Sequence, residues 1–157
     1  MFFKPGLTRA RKLRKKKLKA KIKAIPITRF CIDIDFYDAG DTWGLLHEFS
    51  YLTPITGYSG THPNKGIKIG IDGLVTVPKD FLFNASGPTI DTDDAIRAAC
   101  FHDALYDLHD AGLIPDCKRK VVDQLFYDML LEDGMTPIRA KYWHIGVRLG
   151  GWVSWNN

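Results

Sequence analysis

The sequence predicts an α+β fold, in which a small, mainly antiparallel sheet is followed by three helices and preceded by a basic N-terminal arm. Three observations lead there. Apolar and polar residues alternate in runs between Ile27 and Val77, but from Asp91 onward apolar residues recur every three to four positions. That is a change from the period of a strand to the period of a helix. All strand-like runs come before all helix-like runs, which argues against alternating βαβ units and a parallel sheet. Finally, charge is partitioned along the chain: residues 1–24 hold eleven Lys or Arg and no acid. The rest holds eleven bases against eighteen acids, a formal −7. An acidic body therefore carries a basic arm, and the two read as separate units: an arm at 1–24 and one globular domain at 25–157.

The arm, "MFFKPGLTRARKLRKKKLKAKIKA", has no continuous apolar stripe, since Leu13, Leu18 and Ile22 do not line up. Self-repulsion should leave it extended or loosely helical until an anion neutralises it. Its candidate binding residues are Arg9, Arg11, Lys12, Arg14, Lys15, Lys16, Lys17 and Lys19. Clustered bases of this kind release counterions on meeting a polyanion. No apolar h-region follows the charges, so no secretory signal is expected. Three sparse cysteines, Cys31, Cys100 and Cys117, share no metal spacing and suit a reducing compartment better than a disulfide framework.

After Pro26, "ITRFCIDIDFY" (Ile27 to Tyr37) alternates as a half-buried strand does. "LLHEFSYLT" (Leu45 to Thr53) reads as a second strand, with His47 inside it. "YSGTHPNKG" is loop by composition, and "IKIGIDGLVTVP" is a hairpin around Asp72-Gly73, a pair that type I′ turns favour.

The helices are expected at about 92–110, 118–132 and 137–149. The first has an acidic opening and Gly112 just past its end; the second repeats that design with Val122, Leu125, Phe126 and Met129 on one face. The third starts with Thr136 as cap and Pro137 at its first position. Its apolar stripe is Ile138, Tyr142, Ile145 and Leu149, with Lys141, His144 and Arg148 on one flank.

The stretch "AACFHDALYDLHDAG" (Ala98 to Gly112) carries two His-Asp pairs. On a helical wheel Phe101, Ala104, Leu105 and Leu108 form the buried face. His102, Tyr106 and His109 border it, and Asp103, Asp107 and Asp110 form a solvated edge farther round. His109 at the helix end is explained by the dipole alone. Asp123 lies at the edge of the second helix's apolar face, placed to hold the His102 ring as supporting carboxylates do.

Three stretches in order, "VPKDFLFNASGP", "AACFHDALY" and "VDQLFYDMLLEDGM…KYWHIGVRLGGW", resemble the phage and prophage family known as domain of unknown function 1353 over residues 27–153. Val77, Pro78, Phe81, Ala85, Ser86 and Pro88 match its first motif. His102, Asp103, Leu105 and Tyr106 match the second, and Asp123, Phe126, Arg148, Gly150 and Trp152 the third. This chain departs in the first motif, with Asp80 where the family favours Gly, Phe83 where it favours Thr, and Asn84 where it has Asp. An amide neither titrates nor carries charge, so Asn84 cannot act as acid, base or charged ligand.

The resemblance implies a phage-encoded, virion-associated structural or binding component, found in the host cytoplasm during assembly or in the virion. Other phage structural proteins would be its partners, with nucleic acid met through residues 4–23; no membrane partner, metal or cofactor is expected. The alternative is a small hydrolase, with His102 as general base, Asp103 or Asp123 orienting it and Ser86 as nucleophile. In either reading Asn84, Tyr106 and Arg148 are expected as structural members of the motif. A metal-dependent HD-type phosphohydrolase fits poorly, because His47, His62 and His144 fall in a strand, a loop and off a helix's core stripe. No glycine-rich phosphate loop or nucleotide fingerprint is present.

Overall fold

The structure, a computed structural model, describes residues 36–39, 42–84 and 94–155, without the side chains of Asp38 and of residues 152–154. In chain order the strands are β1 (Phe36–Asp38), β2 (Trp43–Leu45), β3 (Phe49–Leu52), β4 (Gly60–Thr61), β5 (Lys68–Ile69), β6 (Leu74–Val77) and β7 (Leu82–Phe83). Three helices follow: α1 (Ile96–Asp110), α2 (Arg119–Glu132), entered through a 3₁₀ turn at Asp116–Lys118, and α3 (Pro137–Trp155). The strands pair antiparallel throughout, in two sheets of order β1-β2-β7 and β3-β6-β5-β4. The α+β class is thus as the sequence indicates. Of the first strand expected, residues 27–35 lie outside the described residues.

Two sheets replace one because the run read as a strand over Leu45 to Thr53 is broken at residues 46–48. Leu45 and Phe49 are both buried while His47 is exposed. A continuous strand would put all three on one face, so the bend lets the two apolar residues face inward without burying the imidazole. The loop expected over Tyr58 to Gly66 contains β4. Within it, His62 is buried and its Nδ1 accepts from the backbone N–H groups of Asn64 and Lys65 at 3.2 and 3.1 Å, closing a tight turn.

The β5–β6 hairpin forms around Asp72-Gly73, in the register Lys68↔Thr76 and Ile69↔Val75, but not through a type I′ turn. Only Gly73 has positive φ (88°), and Gly70 N–H donates to the Leu74 carbonyl at 2.8 Å. This is the three-residue loop with a left-handed glycine at its end. A side chain at Gly73 would also strike the Thr53 carbonyl.

α1 begins after Ala95, so Asp94 lies outside it and its first turn holds no acid. Gly112 and Gly134 end α1 and α2 with φ of 73° and 89°, the left-handed stop that glycine supplies. Phe101, Ala104, Leu105 and Leu108 of α1 meet Val122, Leu125, Phe126 and Met129 of α2 in one core, joined by Leu45, Phe49, Val75 and Val77 from the strands. Phe101 packs edge-on against Phe49, with ring centroids 5.9 Å apart.

α3 corrects the sequence reading most. Its core residues are Ala140, Trp143 and Trp155, whereas Ile138, Tyr142, Ile145 and Leu149 are 88, 64, 48 and 75% exposed. The helix is apolar on two opposite faces, and its inner one is fixed by close approach. Ala140 is fully buried, and a side chain at Gly151 would run into the Tyr106 hydroxyl. Bulky Ile138 and Leu149 have no such fit.

Candidate functional site

His102 and Tyr106 stand one turn apart on α1, so their rings stack in a tilted pair with centroids 4.3 Å apart. Both are 8% exposed. Facing them from α2 is Asp123, which is wholly inaccessible to solvent. Its Oδ1 lies 2.9 Å from His102 Nε2 and accepts the Tyr106 hydroxyl at 3.0 Å. Its Oδ2 accepts from Arg148 of α3 at 2.7 Å, and Arg119 Nε stands 3.7 Å away. Arg119 also donates to the Arg148 backbone carbonyl at 2.6 Å, tying the start of α2 to α3. One carboxylate therefore joins side chains from all three helices.

The electrostatics follow from that arrangement. Burial works against a charged Asp123, but hydrogen bonds from His102 and Arg148, the charge of His102 and the Tyr106 hydroxyl outweigh it and hold the carboxyl below its usual range. An ionised carboxylate only accepts, so the hydrogen on His102 is assigned to Nε2. Burial pushes the Tyr106 hydroxyl well up; its contact with Arg119 opposes the rise, and Asp123 reinforces it.

Asp103 points to the other side of α1. Its Oδ2 accepts the backbone N–H of Asn84 at 3.0 Å, linking the helix to the end of β7. Burial raises its carboxyl to about 6, against the lowering effects of His102 and the Asn84 hydrogen bond. Asp107 pairs with Lys65 at 2.5 Å, so two of the three aspartates expected on a solvated edge are engaged, and only Asp110 is exposed. His109 is more tightly held than a dipole effect requires. Its Nδ1 and Nε2 lie 2.8 and 3.0 Å from the carbonyl oxygens of Ile114 and Trp155, and its ring stacks on Trp155 at 3.8 Å.

Among the candidates from the sequence, His102, Asp123, Tyr106 and Arg148 come together, and Asp103 and Asn84 form a separate pair. Ser86 and the arm residues Arg9, Arg11, Lys12, Arg14, Lys15, Lys16, Lys17 and Lys19 lie outside the described residues. Arg119 was missed, although its position four before Asp123 on one helix is a readable ion-pair spacing. Lys65 was missed for lack of any local signal, being 42 residues from its partner. His47 and Lys141 approach no part of this cluster by hydrogen bond; Lys141 lies over the Tyr127 ring and beside His144.

Among the described residues no group of three or more His, Cys, Asp or Glu is arranged to hold a metal ion, and no helix is long and apolar enough to cross a membrane. Compared with family models, with curated proteins and with solved structures, the chain finds no match in any of the three.

Proposed function

We propose that this protein is a phage-encoded, virion-associated structural or binding component, whose basic arm engages a polyanion or an acidic partner. The observation that carries this reading is the closure of the His102–Asp123 pair. The Asp123 carboxylate is wholly buried and already accepts from His102, Tyr106 and Arg148. A hydrolase of the Ser-His-Asp kind needs its histidine within hydrogen-bond reach of a nucleophile, with one ring face open to substrate. Here His102 is packed between Tyr106 and Phe126, with ring centroids 4.3 and 5.1 Å away. Such a cluster positions helices. The three motifs that resemble a phage family, and the division into basic arm and acidic body, support the rest of the reading.

The test has two arms. Antibody against the protein, applied to gradient-purified virions, should detect it at a constant ratio to the major capsid or tail proteins. Binding of the full chain to duplex DNA or heparin should fall roughly a thousandfold between about 50 and 200 mM salt if about six phosphates are engaged. A variant with Arg14, Lys15, Lys16 and Lys17 changed to Gln should lose most of that binding. Absence from virions together with salt-insensitive binding would refute the proposal. Ester or amide hydrolysis that disappears in His102→Gln would replace it with the hydrolase reading.

A further inference from the structure

His109 closes the end of α1 in an arrangement that only a charged imidazole satisfies. Gly112, with φ of 73°, stops the helix and turns the chain back. Pro115 is extended (φ −76°, ψ 156°), and the Ile114 carbonyl before it reaches His109 Nδ1 at 2.8 Å. On the other side of the ring, Nε2 lies 3.0 Å from the Trp155 carbonyl, in the last turn of α3. All three residues are enclosed: the His109 side chain is 11% exposed, Ile114 1% and Trp155 3%. A carbonyl oxygen only accepts, whereas a neutral imidazole has one N–H and one lone pair. A neutral ring therefore turns a lone pair toward one of the two carbonyl oxygens and leaves that oxygen without its donor. The imidazolium donates to both.

The surroundings favour the same charge. The ring lies flat on the Trp155 indole, with centroids 3.8 Å apart and planes at 3°, and an aromatic face attracts a cation. His109 also stands in the last turn of α1, where the helix dipole favours positive charge. From the 3₁₀ turn, Asp116 Oδ1 lies 3.4 Å from Nε2. On α1 itself, Asp110 follows His109 and is exposed, Asp107 is paired with Lys65, and the Tyr106 hydroxyl is donated to Asp123. The neighbouring cations are directed elsewhere, Lys118 over the Tyr58 ring and Arg119 and Arg148 toward Asp123. Beyond Arg148, residues 149–157 contain no titratable side chain.

We propose that His109 is a proton-operated clasp, which holds the last turn of α3 on the end of α1 while its ring is charged and loosens that turn when the ring is neutral. The segment it releases ends at Trp155, whose indole also packs edge-on against Tyr106, with centroids 4.7 Å apart. The sign follows from the hydrogen bonds. The closed clasp holds the proton, so closure is favoured at the acidic end of the histidine range and is lost as pH rises through the ring's titration. The clasp does not depend on what the arm binds.

Two measurements on the full chain, made in steps between about pH 5.5 and 8.5, test this. NMR of the histidine ring nitrogens reads the charge of His109, assigned through its contacts with the Trp155 indole. Amide hydrogen exchange, corrected for intrinsic rates, reads the protection of residues 151–155 relative to residues 140–147 of the same helix. That relative protection should fall about tenfold or more as the ring loses its second N–H, the effect of losing one hydrogen bond from a charged donor. The two curves should share one midpoint. His109→Gln should show the lower protection at both ends of the range. A last turn whose relative protection stays constant while the ring titrates, or changes at a different pH, would overturn the proposal. So would a ring with a single N–H, or an unprotected last turn, at about pH 5.5. A folded His109→Gln chain that keeps the parent's pH-dependent loss would also overturn it; should that variant not fold, the two curves of the parent decide alone.

Discussion

His102 and Asp123, twenty-one residues apart on different helices, are joined by a 2.9 Å hydrogen bond between two buried side chains. The bond lies where α1 crosses α2, and Arg148 brings α3 to the opposite oxygen of the same carboxylate. A His-Asp sequence that reads like an active site is thus built into a helix junction. The Asp next to His102 in sequence, Asp103, faces elsewhere and caps the Asn84 N–H.

Asp103 should make the fold less stable as pH rises through the mildly acidic range. Its folded carboxyl is raised to about 6 by burial, whereas an unfolded Asp titrates near ~3.9. Between those values the folded state binds the extra proton, so stability falls with rising pH and the penalty is complete above about 6. Asp133, also raised to about 6 by burial against its pairing with Arg97, adds to the same slope. Asp123 has the opposite sign, being lowered, so its contribution is present above ~3.9 and is lost in stronger acid. Asp103→Asn retains an acceptor for the Asn84 N–H and should raise stability at pH 7.5 by about 1–2 kcal/mol, with little gain at pH 4. Urea denaturation at the two pH values reads this out.

Asp80 should be replaceable by glycine with profit to stability. It is the non-glycine residue with positive φ (63°) among those described, and its N–H is fixed by the Leu45 carbonyl at 2.7 Å. The left-handed conformation strains any residue with a Cβ, though Asp tolerates it better than most. Asp80→Gly should change stability by between zero and about +1 kcal/mol, and Asp80→Val should cost about 1–2 kcal/mol. Thermal melts of the pair check the order.

The two faces of α3 should respond in opposite ways to truncation. Trp143 is 8% exposed and packs near Phe126, so Trp143→Ala should cost about 3–5 kcal/mol. Leu149→Ala should stay within about 0.5 kcal/mol of the parent. A large loss at Leu149 would show that the stripe is part of the core after all.

The period of each segment was enough to read the class of fold, the three helices and the buried faces of α1 and α2, because each of those helices has one apolar stripe to place. For α3 it was not enough. Both of its faces are apolar, and hydrophobicity alone selects the one with larger aliphatic side chains. The inner face is chosen by small residues such as Ala140 and Gly151 that permit close approach, a signal of size and not of polarity. The Leu45–Thr53 run failed for a related reason, since alternation does not reveal a bend that turns His47 outward. At the site, His102 and Asp123 were legible from their places beside apolar faces. The Lys65–Asp107 and Asn84–Asp103 contacts were not, because they join segments brought together only by the fold.

Asp123 is the junction of the three helices, and a double-mutant cycle between His102 and Asp123 tests that role most directly. Unfolding free energies at pH 7 for His102→Ala, Asp123→Ala, the double variant and the parent give the coupling between the two residues. Asp123→Ala alone should cost about 3–5 kcal/mol, because it strands His102, Tyr106 and the Arg148 guanidinium around a vanished charge. The coupling energy should be about 1–3 kcal/mol, so the second substitution costs much less once the first is made. Additive losses, or an Asp123→Ala variant as stable as the parent, would contradict the structural role assigned to this pair.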